Sequence, residues 1–398
     1  MLSIGVQEMV AALRVIARGD LNRYSARGIT ETQQFEDALE SKIGVEHALA
    51  VNSGTSALIC ALVGAGIGPG DEVLVPSFTW VSTAAAPLAV GAVPVLVEID
   101  ASLTIDPHDI KRKITPYTKA IIPVHMLNLV CDMDAIMAIA QEHGLVVIED
   151  ASQAVGVSYR DRRVGSIGHA GAFSFNQHKN IKSGEGGAVL TNDSRLFARA
   201  SMYHDVGSYE RDDRLDGDEP LFVGVNYRMP ELSAAILRPQ LKRLDQQLER
   251  RRLHRRIMLE ELDSSSYEYA VSTHHDPEHA AGIAIAFDRP EDAQAFGSSR
   301  GARRLIDTGR HVYTNWLSLI AKRTAHPALN PFTWAHREID YSPDSCPKTL
   351  DILARTCTVE LAPELPTPAF RLLARNIARS GGMERQHGAQ LRVGAANS

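Results

Sequence analysis

Between residues 30 and 150 the chain alternates short apolar runs with stretches of helical periodicity, and this alternation restricts its fold more than any other feature. Each apolar run is long enough for one buried strand, and the runs lie at 48–51, 72–75, 93–97, 120–124 and 145–150. Helical stretches flank or separate these runs, at 30–40, 56–65, 84–90 and 133–143. Strands that are apolar throughout and alternate with helices are typical of a parallel sheet covered on both faces. The sequence therefore predicts an α/β fold around a mostly parallel sheet.

Polar residues of this region cluster where the predicted strands end. The segment 52–55 follows the first strand, the segment 76–80 follows the second, and His125 and Asp150 stand at the ends of later strands. In open parallel sheets, ligands bind in the crevice beyond the carboxyl ends of the strands. We therefore expect a binding site at this edge of the sheet.

The rest of the chain has a different pattern, which predicts a second and smaller unit. A long helix follows Pro230 and continues to about residue 258. Beyond it the sequence predicts a strand over 282–288 and helices over 290–296 and 368–377, as in an α+β domain. We expect four regions: an N-terminal arm over 1–29, a large domain over 30–255, a small C-terminal domain over 256–380 and a flexible tail over 381–398.

Charge and composition argue against several classes of protein. Forty-two Lys and Arg residues against 48 Asp and Glu give a formal charge of −6, so no nucleic-acid partner is predicted. The cluster of arginines at 250–256 fits a solvated helix end better than a nucleic-acid patch. No apolar run reaches the roughly 20 residues that cross a bilayer, and no signal-peptide pattern opens the sequence. The four cysteines include no C-x-x-C pair, so we expect a cytoplasmic protein without a membrane partner.

Three local motifs resemble functional sites, but we interpret each of them as a turn or a loop. The glycine-rich segment 64–71 fails the spacing of a dinucleotide loop and precedes a strand, so it is interpreted as a turn. The histidines at 274–279 have the spacing of a polar loop, and no second cluster completes a metal shell, so no metal site is predicted. The segment 184–187 is a flexible turn that lacks the Lys-Ser/Thr of a P-loop.

A wider constellation is more informative. Ser53-Gly-Thr55 joins a strand to a helix, where backbone N–H groups can bind an anion. Asp150 ends a very apolar strand, where an acid is costly without a cationic partner, and Lys179 precedes the glycine-rich turn. Taken singly, these residues could be a helix cap, a strand-end turn and a surface charge. Together, a lysine, a carboxylate and an anion pocket are what a Schiff-base cofactor requires.

At this point the sequence resembles the DegT/DnrJ/StrS family of pyridoxal-phosphate (PLP) dependent sugar and cyclitol aminotransferases. The segments that carry the resemblance occur in the family's order, at 53–58, 70–80, 114–120, 149–154, 173–187 and 224–231. The resemblance covers about residues 30–255, with weaker similarity to about residue 378. It implies PLP-dependent transferase fold type I, the aspartate aminotransferase fold, with 30–255 as the PLP-binding domain.

The resemblance also implies roles for individual residues around the cofactor ring. Lys179 matches the lysine that forms the Schiff base, and Asp150 matches the carboxylate that faces the pyridine nitrogen. An ionised Asp150 would keep that nitrogen protonated, which suits the ring to accept an electron pair. Gln153 matches the polar group near the ring hydroxyl, and Trp80 matches the aromatic residue that stacks on the ring.

Four further matches concern the cofactor phosphate. Gly54, Thr55 and Ser174 match the phosphate cradle of the family. Asn226 matches an asparagine that reaches the phosphate of the neighbouring subunit. The resemblance therefore implies a homodimer with shared active sites.

The implied reaction is transfer of an amino group from L-glutamate or L-glutamine to the ketone of an oxo-sugar, which we expect to be nucleotide-linked, or of a cyclitol. Such reactions belong to amino-sugar, natural-product and antibiotic biosynthesis. We expect substrate contacts in the loops after Trp80 and His125, at Tyr227 and Arg228, and around His311 in the small domain. The segment 125–129 reads His-Met-Leu-Asn-Leu where the family more often has His-Leu-Tyr-Gly, so its substrate contacts are expected to be unusual.

Two other functions stay open at this point. Some relatives carry out dehydration or aromatising elimination, as in aminohydroxybenzoate synthesis, and some dehydratases have histidine in place of the Schiff-base lysine. Here His178 precedes Lys179 without replacing it, so transamination is favoured. A non-catalytic regulator with the same fold is the third hypothesis, because a fold alone does not determine function.

Overall fold

The central sheet has seven strands, six of which run in one direction. The structure is a computed structural model that describes residues 4–24, 28, 30–208, 219–263, 269–271, 275–276 and 279–379. The strands are β1 His47–Val51, β2 Glu72–Pro76, β3 Val93–Val97, β4 Thr118–Ile121, β5 Val146–Asp150, β8 Ala170–Ser174 and β9 Gly187–Thr191, while β6 Ser158–Tyr159 and β7 Arg162–Arg163 form a separate hairpin. Their order is β1-β9-β8-β5-β4-β2-β3, and only β9 is antiparallel to its neighbours. The mostly parallel sheet is therefore confirmed.

Eight helices surround or extend this sheet within the described residues. They are α1 Val6–Arg18, α2 Glu31–Ile43, α3 Gly54–Gly64, α4 Ser82–Ala89, α5 Pro107–Lys113, α6 Met133–His143, α7 Ser194–His204 and α8 Glu231–Asp263. Local sequence explains where they begin. The Thr30 hydroxyl accepts a hydrogen bond from the Gln33 amide at 3.1 Å, as the capping pattern predicts. Phe35 and Leu39, four residues apart, are fully buried on the inner face of α2.

A second sheet of four short antiparallel strands lies in the C-terminal part. Its strands are β10 Ala270–Val271, β11 Ala284–Ala286, β12 Ala302–Arg304 and β13 Thr356–Val359, in the order β10-β11-β13-β12. The helices of this part are α9 Pro290–Gly297, α10 Leu317–Ile320, α11 Pro347–Ala354 and α12, residues 367–379. Phe287, Phe296 and Phe370 form much of its separate hydrophobic core.

The two predicted domains are more closely connected than the sequence suggested. The predicted boundary between residues 255 and 256 falls inside α8, which buries Leu244 in the large core and Met258 in the small one. Tyr313 and Trp316, assigned to the small domain, pack into the large core. The N-terminal arm contains α1, which packs against α8. The domain limits remain predictions, and the expected tail over 381–398 lies outside the described residues.

Within the described ranges, every helix is too short or too polar to span a lipid bilayer. The same ranges contain no group of three or more His, Cys, Asp and Glu side chains placed to hold a metal ion. Of the histidine-rich loop at 274–279, His274 lies outside the described residues, whereas the Nδ1 of His279 lies 2.9 Å from the Asp276 carboxylate.

Candidate active site

Asp150 ends β5 at the carboxyl edge of the central sheet, and neutral donors hold its carboxylate. The residue is only 5% exposed. Its Oδ2 accepts a hydrogen bond of 2.8 Å from the Thr83 hydroxyl, and its Oδ1 accepts one of 3.2 Å from the Ser152 amide. Because Thr83 gives its proton to Asp150, the Thr79 hydroxyl 2.8 Å away donates to Thr83. These donors orient the carboxylate without neutralising its charge.

Lys179 lies within electrostatic reach of Asp150, as the sequence analysis expected. Burial lowers the pKa of its amine below the ordinary value, and the Asp150 charge opposes that shift only in part. A lower pKa leaves more of the amine neutral near neutral pH, and the neutral amine is the form that attacks a carbonyl carbon. The backbone helps to position the residue, because the Lys179 amide donates to the Asn176 carbonyl at 3.0 Å.

The start of α3 approaches β8 so closely that only glycine fits. A Cβ on Gly54 would lie 2.6 Å from the Cβ of Ser174, which is too short for two carbon atoms. Ser53 caps the helix by accepting from the Ser56 amide at 3.1 Å, and Thr55 donates to the Ser82 hydroxyl at 2.9 Å. The first backbone amides of a helix lack partners within the helix and favour an anion. Gly54, Thr55 and Ser174 are therefore brought together as a possible anion cradle.

Trp80 and His311 meet at the boundary between the two sheets. Their ring centroids are 5.2 Å apart, and the Thr79 amide donates to the His311 carbonyl at 3.0 Å. The His311 Nδ1 lies 3.1 Å from the Thr308 carbonyl, which can only accept, so Nδ1 carries the proton and Nε2 a lone pair. Burial, together with the nearby cation of Lys179, lowers the pKa of His311. The ring is thus a neutral acceptor, and the indole of Trp80 remains 41% exposed.

A cleft of about 530 Å³ opens between the large and small sheets. Of the residues predicted from sequence, it brings together Lys179, Gln153 and His311. The Gln153 Oε1 accepts from the Leu127 amide at 3.2 Å, which leaves the Nε2 donor for a ligand. Asp150, Trp80 and the residues of the anion cradle do not line this cleft. Two of them nevertheless interact with residues that do, because Asp150 acts electrostatically on Lys179 and Trp80 contacts the His311 ring.

The cleft walls also include residues that were not named as site residues from the sequence, and three of them are polar or charged side chains of interest: Asn128, Arg251 and Arg303. Arg251 belongs to the arginine cluster that was interpreted as a solvated helix end. It reaches the cleft because α8 continues from the large core into the small one. A local charge pattern cannot indicate the path of a helix. Burial lowers the pKa of Arg251, against the opposing charges of Glu364 and Glu360. The signal for Asn128 was present in the departure of the segment 125–129 from the family pattern.

The structure places His125 behind the site and not in the cleft. The side chain is fully buried, and both ring nitrogens have partners within the chain. The Cys131 amide donates to Nδ1 at 3.1 Å, so Nε2 is the nitrogen that donates to Glu149 at 3.0 Å. Glu149 also accepts from three backbone amides at 2.6–2.8 Å, those of Gly165, Ile167 and Gly168. The expected substrate contact is therefore replaced by a structural contact, because this buried carboxylate needs the imidazole.

Asn226, Tyr227 and Arg228 lie at the end of β1 and do not line the cleft of their own chain. The Tyr227 carbonyl accepts from the Asn52 amide at 2.8 Å, and the Arg228 guanidinium pairs with Asp205. Asn226 is exposed. The positions of Tyr227 and Arg228 do not support contact with a substrate in this cleft. A role for Asn226 in a neighbouring subunit stays a prediction.

The fold is that of the PLP-dependent transferases of fold type I. The crystal structure of 3-amino-5-hydroxybenzoic acid synthase matches it with a TM-score of 0.77 and 28% identity, over 95% of this chain and 96% of that chain. The chain belongs to the DegT/DnrJ/EryC1/StrS aminotransferase family, whose family model matches residues 7–369. The fold and the family expected from the sequence are both confirmed.

Two curated relatives are similar over part of their length. GDP-perosamine synthase of Caulobacter vibrioides is 46% identical over 219 residues, which cover 54% of this chain and 57% of that protein. L-glutamine:2-deoxy-scyllo-inosose aminotransferase of Micromonospora echinospora is 42% identical over 248 residues, which cover 61% of this chain and 59% of that protein. The chain thus matches less than two thirds of the length of each relative.

Proposed function

We propose that this protein is a PLP-dependent aminotransferase that moves an amino group from L-glutamate or L-glutamine to the ketone of an oxo-sugar or a cyclitol. The observation that carries the proposal is the proximity of Lys179, whose amine has a lowered pKa, to the buried Asp150 carboxylate beside the cleft. The two curated relatives, whose names specify an amino-sugar product and a cyclitol substrate, support the acceptor classes.

The residues present fit pyridoxal 5′-phosphate. The anion cradle at Gly54 excludes any side chain at that position, as a phosphate-binding backbone requires. The Asp150 carboxylate would hold a proton at the pyridine nitrogen, and the Lys179 amine would bind the aldehyde carbon covalently. When bound, this cofactor supplies an electron sink for the carbanion formed at the substrate Cα.

The residues of the chain account for the proton transfers. The Nζ of Lys179, once released from its covalent bond, can accept the proton of the donor's Cα, because burial lowers the pKa of its amine towards neutrality. The Nε2 of His311 can accept a hydrogen bond from a substrate hydroxyl. Arg251 and Arg303 give the cleft two positive charges, which suit the carboxylates of glutamate or the carboxylate of glutamine.

Half-reactions test this function. Cofactor-loaded protein is mixed with L-glutamate or L-glutamine while the absorbance of the lysine-bound cofactor is followed. The aminated form is then mixed with 2-deoxy-scyllo-inosose or a GDP-linked 4-keto-6-deoxyhexose. We expect loss and then return of the absorbance, and we expect borohydride to fix the cofactor on Lys179. A Lys179→Ala variant should be inactive, and undiminished turnover in that variant would refute the proposal.

A second candidate is dehydration or aromatising elimination with the same cofactor, because the chain is similar to 3-amino-5-hydroxybenzoic acid synthase over 95% of its length. Isotope labelling of the amino donor separates the two reactions. Loss of water from the acceptor without transfer of labelled nitrogen would favour elimination. A regulatory role would be favoured if the protein binds the cofactor tightly but no amino donor changes its absorbance.

We further propose a homodimer in which each chain completes the other's site. Asn226 is exposed outside its own cleft, and Val206 and Val223 close to it in the fold are 51% and 88% exposed. Mixed, refolded Lys179→Ala and Asn226→Ala chains should regain up to about a quarter of wild-type activity, because hybrid dimers hold one intact site. No recovery would place Asn226 within its own chain's site.

A cytoplasmic location is part of this proposal. All four cysteines are buried and none forms a disulfide, as in proteins of reducing compartments. Expression of a tagged full chain in its host, followed by fractionation, tests the location.

A further inference from the structure

The cleft wall contains two consecutive residues in the left-handed backbone region. Leu127 has φ of 55° and Asn128 has φ of 61°. Within the described residues, they are the only non-glycine neighbours with this conformation. Asparagine adopts it readily, whereas leucine does so at a cost of about 1–3 kcal/mol. Strain of this size persists only where the surroundings enforce it, so we looked for what holds the pair.

Contacts on two sides enforce the conformation. The Leu127 amide donates to the Gln153 Oε1 at 3.2 Å, and the Asn128 amide donates to the Gln153 carbonyl at 3.1 Å. From the other side, Gly282 approaches so closely that a Cβ there would lie 2.0 Å from the Leu127 carbonyl oxygen. Both the large and the small domain therefore fix this part of the wall.

The hydrogen bonds also determine how the Asn128 amide is turned. The Asn180 Nδ2 lies 3.0 Å from the Val155 carbonyl and 2.8 Å from the Asn128 side chain. Because the Val155 carbonyl can only accept, the Asn180 atom is its NH₂ group, and the Asn128 atom that faces it is Oδ1. The Asn128 NH₂ group is consequently turned away from Asn180.

This NH₂ group has no hydrogen-bond partner among the described residues. Asn128 is only 7% exposed, yet it lines the cleft with Lys179 and Gln153. The nitrogen of this group is accessible to solvent, so an oxygen of a ligand in the cleft can accept its hydrogen bond in place of water. Asn128 thus presents an oriented donor to the cleft that contains the lysine.

We propose that Asn128 is a specificity-determining residue that donates a hydrogen bond to a hydroxyl oxygen on the acceptor ring. This inference rests on the proposed aminotransferase function and names the residue that recognises one hydroxyl of the acceptor ring. The proposal assigns this contact to the acceptor ring alone, so it predicts that the donor half-reaction, in which glutamate or glutamine occupies the cleft, is spared. The two half-reactions therefore separate the role of Asn128 from the chemistry.

Two substitutions test the donor while sparing the backbone. Asn128→Gly retains the left-handed conformation and removes the amide. Asn128→Asp retains the acceptor for Asn180 and replaces the NH₂ group with an oxygen atom. Asn192→Gly is the control, because it removes an exposed side-chain amide that accepts from the Glu46 amide and does not line the cleft. Thermal unfolding and cofactor affinity are measured for all three variants.

We expect Asn128→Gly to lower kcat/KM of the acceptor half-reaction roughly 10- to 100-fold, the loss of one buried hydrogen bond. The donor half-reaction should stay within about threefold of wild type. The acceptor is whichever of 2-deoxy-scyllo-inosose and the GDP-linked 4-keto-6-deoxyhexose restores the absorbance. Its mono-deoxy analogues are tested in parallel. For the analogue that lacks the contacted hydroxyl, wild type and Asn128→Gly should be equally slow, which a merely structural role would not produce.

Each other outcome is decisive. If Asn128→Gly handles the acceptor like wild type, the inference is overturned while the aminotransferase function stands. If it instead weakens cofactor affinity or shifts the cofactor absorbance, the amide serves the cofactor and the inference is also overturned. If wild-type protein shows no donor half-reaction, or no acceptor restores the absorbance, the proposed function fails and this inference fails with it.

Discussion

Glu149 and Asp150 are consecutive buried carboxylates of β5, and the structure uses them in opposite ways. Successive side chains of a strand point to opposite faces of the sheet, so the two carboxylates have different surroundings. Glu149 accepts hydrogen bonds from His125 and from three backbone amides between 165 and 168. Its burial alone would raise its pKa, but these hydrogen bonds lower it overall.

Asp150 accepts fewer hydrogen bonds from within the chain than Glu149 does. It accepts from the Thr83 hydroxyl and the Ser152 amide, and its field reaches Lys179 without a direct hydrogen bond. The comparison teaches that burial and charge do not identify a catalytic acid. A carboxylate whose hydrogen bonds are completed within the chain supports the fold, whereas one held by a few neutral donors beside a lysine is available to a ligand.

The largest expected effect comes from removing the charge of Asp150. Asp150→Asn keeps the shape of the side chain but can no longer hold a proton at a pyridine nitrogen. We expect turnover in the half-reaction with L-glutamine or L-glutamate to fall on the order of 100- to 10,000-fold, with little change in thermal stability. Stopped-flow absorbance and a melting curve measure both. Turnover equal to wild type would remove Asp150 from the chemistry.

Glu149 should show the reverse pattern. Glu149→Ala leaves His125 and several buried amides without their partner, so we expect the free energy of unfolding to fall by about 3–5 kcal/mol. Chemical denaturation measures the loss. Glu338→Ala is the control, because that carboxylate is largely exposed and its pair with Lys322 spans 3.5 Å, so its effect should be below about 1 kcal/mol. A Glu149→Ala variant as stable as this control would contradict the structural role.

The pH dependence of stability also distinguishes the role of Glu149. Because the pKa of Glu149 is lower in the folded than in the unfolded state, its stabilisation is present above the unfolded value of about 4.3 and is lost as the pH falls through the folded value. Wild type should therefore lose stability more steeply than Glu149→Gln between about pH 5 and pH 3. Urea denaturation at several pH values gives both slopes, and parallel slopes would show that Glu149 is not the group that titrates.

The smallest effect concerns the hydroxyl that orients Asp150. Thr83→Val keeps the shape but removes a hydrogen bond worth about 1 kcal/mol, so we expect cofactor affinity and the donor half-reaction to fall roughly 3- to 10-fold. Thr83→Ser restores the hydroxyl and should recover most of the loss. Equal deficits in both variants would point to packing instead of the hydrogen bond.

Much of the fold follows from local sequence, and the exceptions have identifiable causes. The apolar runs at 72–75 and 93–97 became β2 and β3 nearly as predicted. The run at 120–124 ends as a strand at Ile121, and Pro123 within it has no amide to donate to a neighbouring strand. The strand expected over 282–288 is shortened to Ala284–Ala286. Gly282, which precedes it, lies instead in close contact with the Leu127 carbonyl.

The site was predicted in part. Lys179 and Gln153, which the family resemblance placed around the cofactor, and His311, which was expected to contact substrate, all line one cleft. His125 looked equally suitable from its place at a strand end, but its partner Glu149 can be recognised only from the folded chain. Arg251 was not recognised as a site residue, because it belongs to a cluster of arginines and its position depends on the path of the long helix α8.

Sequence alone therefore determined the five strands between residues 47 and 150, most helices and the family, and it predicted the lysine and its carboxylate, because these depend on local periodicity and on residue types at short spacings. Tertiary structure alone decided the placement of β9 between β1 and β8, the assignment of Glu149 and His125 to the fold, and the orientation of Asn128. These depend on hydrogen bonds between residues distant in the chain, and each donor or acceptor can satisfy only the partner that folding brings within reach.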